Sequence, residues 1–174
     1  PAETSLAAIE HTLDQLKSMN FTDVYLETFW NGYVVYKSDF APYHVRFINS
    51  TFGEYEDYFT AFIAEAKKRD IDVHAWVENF FVGVSWQHSS LWNDYPEWRI
   101  EDINGNQPIT GKPHGDEEGF LFFDPANPGA REFVMNVYKE IIEFDIIGLQ
   151  LDYIRYPSGN ENVEYSTGYT EYAI

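Results

Sequence analysis

The chain contains no cysteine, which excludes disulfides, thiolate nucleophiles and Cys-ligated zinc and leaves the redox compartment open. No apolar run approaches the roughly 18 to 20 residues that a membrane-spanning helix needs, so membrane insertion is not expected. Basic residues are scarce: 11 Lys and Arg stand against 29 Asp and Glu, a net charge of −18. That charge repels phosphate backbones and anionic lipid surfaces, which argues against nucleic acid as a partner. Internal repeats and low-complexity tracts are also missing. So is the Gly-rich phosphate loop after the first strand that a nucleotide-dependent α/β enzyme would carry. No tight ligand spacing such as His-Glu-x-x-His occurs, and neither a catalytic metal nor a cofactor is expected.

What the sequence has in abundance is rings. Of 174 residues 18% are aromatic, with 5 Trp, 13 Tyr and 14 Phe. Trp and Tyr offer an apolar face and a polar edge, which suits the flat C–H faces of sugars, although any single ring serves equally well in a core. A hydrophobic fraction of 44% over this length fits one globular domain, residues 1–174.

Periodicity divides the chain into helices and strands. Leu6, Ile9, Leu13, Leu16 and Met19 fall on one helical stripe, with Thr4 or Ser5 as N-cap and Asn20 placed to close the helix in the left-handed conformation. "FTDVYLETF" follows and alternates as a strand does. A second helix is predicted from about Glu54 to Arg69, its stripe marked by Tyr55, Tyr58, Phe59, Phe62, Ile63 and Ala66. "IDVHAWVENFF" is the next strand. Asn127 and Pro128 cap and start a third helix, and "IIGLQLDY" is a third strand. Alternating helices and strands with short connections predict a parallel sheet wrapped by helices. The exception runs from about Phe81 to Phe123, too long for a plain connection, rich in aromatics and carrying an Asn104-Gly105 hairpin signal.

Alternation also splits each strand into two faces. Val24 and Leu26 oppose Tyr25, Glu27 and Phe29; Val73, Ala75 and Val77 oppose His74, Trp76 and Glu78; Leu149 and Leu151 oppose Gln150 and Asp152. The aliphatic faces would meet the helices. The other face collects Glu27, Glu78 and Asp152 near three strand ends. An open doubly wound sheet covers both faces with helices and would bury that row, whereas a (β/α) barrel places it at the C-terminal mouth, where active sites form.

Four segments, "DVHAWVENFF", "YPEWRIEDINGNQPI", "FFDPANPGAREFV" and "GLQLDYIRYP", resemble in order and spacing the strand-end and loop motifs of the glycosyl hydrolase-like 10 family, predicted TIM-barrel glycosidases of bacteria. The likeness runs from about Phe21 to Pro157. It departs from the family at Glu78-Asn79, where family members usually carry Asn-Pro. The resemblance implies an α/β fold, a partial (β/α)8 TIM barrel with a long aromatic-rich loop after the second strand present. On that reading the chain is an incomplete catalytic domain of about three strand and helix units, without the first strand and the later ones. Such a piece would expose strand edges and self-associate.

Glycoside hydrolysis needs two carboxyl groups. Asp152 is the candidate for one, with a structural pairing to Arg155 as the alternative; the other would come from a later strand, leaving this chain inactive alone. Glu27 and Glu78 are candidates for binding sugar hydroxyls or for setting the charge of Asp152. Tyr25, Trp76, Tyr153, Arg155 and Tyr156 are candidates for lining subsites. Trp86, with Trp92 and Trp98, is a candidate lid, and His74 is expected to be a hydrogen-bonded core residue. The expected substrate is a polysaccharide or oligosaccharide, and the resemblance implies an extracytoplasmic location. The competing reading is a non-catalytic carbohydrate-binding or surface-interaction module on a degenerate barrel.

Overall fold

The computed structural model describes residues 3–107, 119–157 and 167–173. Helix α1, Leu6–Ser18, starts where the Ser5 hydroxyl accepts the Ala8 N–H. It stops where Asn20 turns left-handed at φ 62° and the Phe21 and Asn20 amides return to the carbonyls of Leu16 and Lys17. Strand β1, Asp23–Trp30, follows. Helix α2, Tyr58–Lys67, is shorter than its apolar stripe suggests. Asp57 is the reason: its carboxylate takes the Thr60 N–H at 2.8 Å as N-cap and the Lys37 N–H at 3.1 Å, which fixes the start well after Glu54.

Strand β3, Asp72–Val77, pairs in parallel with β1 on one side and with β7, Gly148–Leu151, on the other. A two-residue strand β2, Tyr33–Val34, folds back antiparallel on β1, giving the order β2-β1-β3-β7. Helices α2 and α4, Pro128–Ile141, connect the parallel strands. The fold class expected from the sequence, parallel strands alternating with helices as in part of a (β/α) barrel, is the fold observed.

The long stretch after β3 has structure of its own. Strands β4, Phe81–Val84, and β5, Gln87–His88, form a second antiparallel sheet with β6, Phe120–Phe122, and a short helix α3, Leu91–Asp94, lies between β5 and β6. The Asn104-Gly105 turn is present, but it closes on Asp102, whose carboxylate accepts the Asn104 and Asn106 amides, rather than joining two strands. Pro108 and Ile109, the end of that motif, lie outside the described residues.

One face of the parallel sheet is the core. Leu26, Val73, Ala75 and Val77 are buried with Phe59, Phe62 and Ala66 of α2 and Phe133, Val134 and Val137 of α4. Phe29 joins them, although simple alternation puts it on the opposite face with Glu27. The register runs Glu27 to Trp76 and then Phe29 to Val77, so Thr28 is an inserted residue. Its hydroxyl donates to the Leu26 carbonyl, and beyond this bulge the strand changes faces. Phe29 ends 1% exposed, edge-on to Phe133. On β7, Leu149 packs against the core but Leu151 stays 36% exposed, because β7 is the edge of the sheet among the described residues.

Asn127 secures the start of α4. Its side-chain oxygen accepts the Gly129 and Ala130 amides at 2.8 and 3.2 Å, and its amide group donates to the Glu97 carbonyl. Asn127→Ala leaves these groups unmatched at a buried site and is expected to cost about 2 kcal/mol, read as a lower urea midpoint at unchanged m-value. An unchanged midpoint would contradict this account of the cap.

Candidate active site

The inward face of the parallel sheet is built in layers set by strand register. Tyr25, His74 and Gly148 form one layer, and Glu27, Trp76 and Gln150 the next. Glu78 and Asp152 follow immediately beyond the strand ends, where the Asp152 amide donates to the Val77 carbonyl at 2.8 Å. In the lower layer His74 shares a hydrogen bond with the Asp23 carboxylate at 3.1 Å and stacks on Tyr25 at 4.6 Å. Gly148 gives His74 room, since a Cβ there would lie 2.9 Å from the imidazole Nδ1. Tyr25 therefore belongs to the His74 layer and not to the level of Asp152.

The three acids occupy one end of the sheet, as expected. Glu78 is 7% exposed, and its Oε2 accepts the Asn31 N–H at 3.0 Å. Burial, reinforced by the negative charges of Glu27 and Asp152, pushes its pKa up to about 8 against the pull of that hydrogen bond. The donor comes from a feature that alternation alone overlooks. Asn31 and Gly32, both at positive φ, form the two-residue turn between β1 and β2. Asn-Gly between aromatic and β-branched residues signals such a hairpin, and here the hairpin carries a backbone N–H to Glu78. Gly32 also fits where a Cβ would sit 2.4 Å from the Ser89 hydroxyl.

Asp152 is held by two N–H groups: its Oδ2 accepts from the Trp76 indole at 3.1 Å and its Oδ1 from the Tyr153 amide at 2.8 Å. Tyr153 turns left-handed at φ 48°, which brings its amide back onto the preceding side chain. The Tyr153 ring stacks on Phe81 at 4.9 Å and carries the Arg155 guanidinium at 5.3 Å. Arg155 also donates to the Tyr156 carbonyl. Tyr156 lies beside Gly168 and is 42% exposed.

The expected tryptophan lid is not what the structure builds. Trp92 is 6% exposed, stacked on Phe123 with the Arg99 guanidinium 4.4 Å above its ring. Trp98 stacks on Tyr95 at 3.9 Å and packs against Phe123 and Phe133. Trp92 enters the core and Trp98 packs against it, because residues 91–99 fold back to the start of α4. Trp86 alone of the three is open, 73% exposed at the β4–β5 turn and next to Gly119. Alternation also gives no hint of Asn79, fully buried between the ends of β3 and β7, where it donates to the carbonyls of Val77 and Asp152 and accepts from the Tyr138 hydroxyl.

A family model described as glycosyl hydrolase-like 10 matches residues 7–173. No protein of curated function matches the sequence significantly. Among solved structures, a hypothetical protein from Ruminiclostridium thermocellum ATCC 27405 superposes with a TM-score of 0.67 at 17% identity, over 90% of this chain and 75% of its own. The α-L-fucosidase isoenzyme 2 from Paenibacillus thiaminolyticus gives 0.62 at 17% identity, over 88% of this chain and 20% of its own. An α-galactosidase from Thermus thermophilus gives 0.58 at 15% identity, over 86% of this chain and 28% of its own. The chain thus spans less than a third of either enzyme's length, and at these identities the likeness is one of fold.

Glu78 sets a pH dependence whose sign follows from its raised pKa. Above about pH 4.5 the unfolded chain releases this proton while the folded chain keeps it up to about pH 8. The stability that Glu78 contributes is therefore complete below the lower value and is lost as pH rises through the upper one, with a slope of up to about 1.4 kcal/mol per pH unit. Glu78→Gln is expected to gain stability relative to the parent chain between about pH 5 and about pH 8. Urea unfolding at both pH values checks this, and parallel profiles for the two proteins would refute it.

Proposed function

The chain belongs to the glycosyl hydrolase-like 10 family, and from that premise we propose that it forms part of a glycoside hydrolase cleaving O-glycosidic bonds of a polysaccharide or oligosaccharide by carboxylate chemistry. The observation that supports this reading is the gathering of Glu27, Glu78 and Asp152 at one end of three adjacent parallel strands, close enough for the first and third to raise the pKa of the second. Glycoside cleavage requires one carboxyl group to protonate the leaving oxygen and another to attack the sugar or activate water.

Asp152 is the proposed reacting carboxyl group of this chain. Both its oxygens accept N–H hydrogen bonds, which holds it as an acceptor in a fixed plane. Glu78, neutral up to about pH 8, spares the mouth one negative charge and can donate to a sugar oxygen, while Glu27 on β1 can accept from sugar hydroxyls. The second reacting carboxyl group is proposed to come from strand and helix units outside this chain, so that the chain by itself is inactive. The proposed site of action is outside the cytoplasm.

The test is release of reducing sugar from a panel of polysaccharides by the whole polypeptide that contains this chain. Asp152→Asn is expected to lower kcat by at least about a hundredfold with folding intact. Equal rates would remove Asp152 from the chemistry, and glycan binding without any release would favour a binding module instead. The isolated chain is expected to self-associate through the edge at β7, where Ile147, Leu151 and Ile154 are 62, 36 and 63% exposed. Sedimentation velocity that shows only monomer across the micromolar range would overturn that expectation.

A further inference from the structure

We propose that Asn79 and Tyr138 are positioning residues for Asp152, acting as a tether from helix α4 to the backbone of the candidate catalytic acid. The tether itself is a matter of geometry, and its consequence for catalysis rests on the function proposed above.

Asn79 follows β3 directly, is fully buried, and has a φ of 42°. A non-glycine residue in that conformation costs free energy and persists only where its surroundings determine it. Its side chain lies beside Phe29, Val77, Phe133, Val134 and Val137, an apolar setting in which an amide must satisfy its hydrogen bonds. It does so with three partners: the carbonyls of Val77 and Asp152 and the hydroxyl of Tyr138. Burial pushes the Tyr138 hydroxyl up to about 12, so it remains a donor at any physiological pH.

The peptide backbone of Asp152 is thereby held on both sides. Its N–H reaches the Val77 carbonyl and its C=O is taken by Asn79. This matters because the ladder between β3 and β7 ends at Val77 and Leu151, so Asp152 stands just past its last pair, where a strand end frays unless it is tied down. The carboxylate plane depends on the same point. The Tyr153 amide reaches Oδ1 only because the chain turns left-handed after Asp152, and Trp76 reaches Oδ2 from the neighbouring strand. Loosening the Asp152 carbonyl frees the turn, and freeing the turn releases the carboxylate from both donors.

Two variants separate the tether from general stability. Tyr138→Phe removes only the hydroxyl, and Asn79→Gly removes the side chain while tolerating the positive φ. In hydrogen-exchange NMR on this chain, both are expected to speed exchange at the Trp76 indole N–H and the Tyr153 amide by about tenfold, equivalent to one lost hydrogen bond. Amides in α1 and the centre of α4 should exchange as in the parent. In the whole polypeptide, kcat should fall by about tenfold with KM within about twofold, the signature of a misplaced reacting group. Unchanged exchange at both reporter protons would overturn the proposal, and so would uniform acceleration that includes α1 and α4. An inactive parent polypeptide would refute the proposed function while the exchange result still decides the tether.

Discussion

Parallel pairing of β3 with a strand on each side is the constraint from which the candidate site follows. Because the register is fixed at His74 to Gly148 and at Tyr25 to His74, every residue of the three strands is committed to a face and to a height. The apolar face is sealed by α2 and α4, and that burial is what stabilises the sheet. The opposite face then has to carry the acids. Glu27, Glu78 and Asp152 come together as a by-product of how the hydrophobic side must pack.

Three carboxyl groups in one place are costly, and the structure meets the cost in three different ways. Glu78 is buried and stays protonated at neutral pH, so the charge that would repel its neighbours is not formed. Asp152 receives two N–H donors from Trp76 and Tyr153. Glu27 stays half-buried at the mouth, where solvent still screens it. Equivalent side chains by composition thus acquire different chemical properties from their heights on the sheet. Below them Asp23 and His74, joined by a hydrogen bond and capped by Tyr25, occupy the layer in place of apolar side chains.

Much of this was legible in the sequence, because period-2 and period-3.6 patterns report burial and burial governs both the sheet and its helices. The left-handed Asn20, the Asn127 and Pro128 helix start and the shared position of the three acids all follow from local rules. What escaped was set by tertiary context. The bulge at Thr28 leaves no mark on composition, so Phe29 was assigned to the wrong face. Trp92 and Trp98 look like binding rings in a loop, yet they pack against Phe123 and, for Trp98, against Phe133 of α4. Asn79 could not be recognised as a link to α4, because its partner Tyr138 lies 59 residues later and the contact depends on the complete fold. The Asn31-Gly32 turn was readable from its dipeptide, but its role toward Glu78 required the third dimension.

The bulge at Thr28 also decides where β1 tolerates a change in length. Between the point where β1 enters the sheet and the turn that meets Glu78, the strand contains one residue more than the straight register allows. Deleting Thr28 itself would leave a straight ladder with Phe29 still opposite Val77, whereas deleting Tyr25 or Leu26 would let Thr28 take the place of Glu27 beside Trp76 and turn the acid towards the helices. The core and the acids are thus measured out along the same ruler, and a gap placed in this strand when comparing relatives is a shift of phase unless it falls at the bulge.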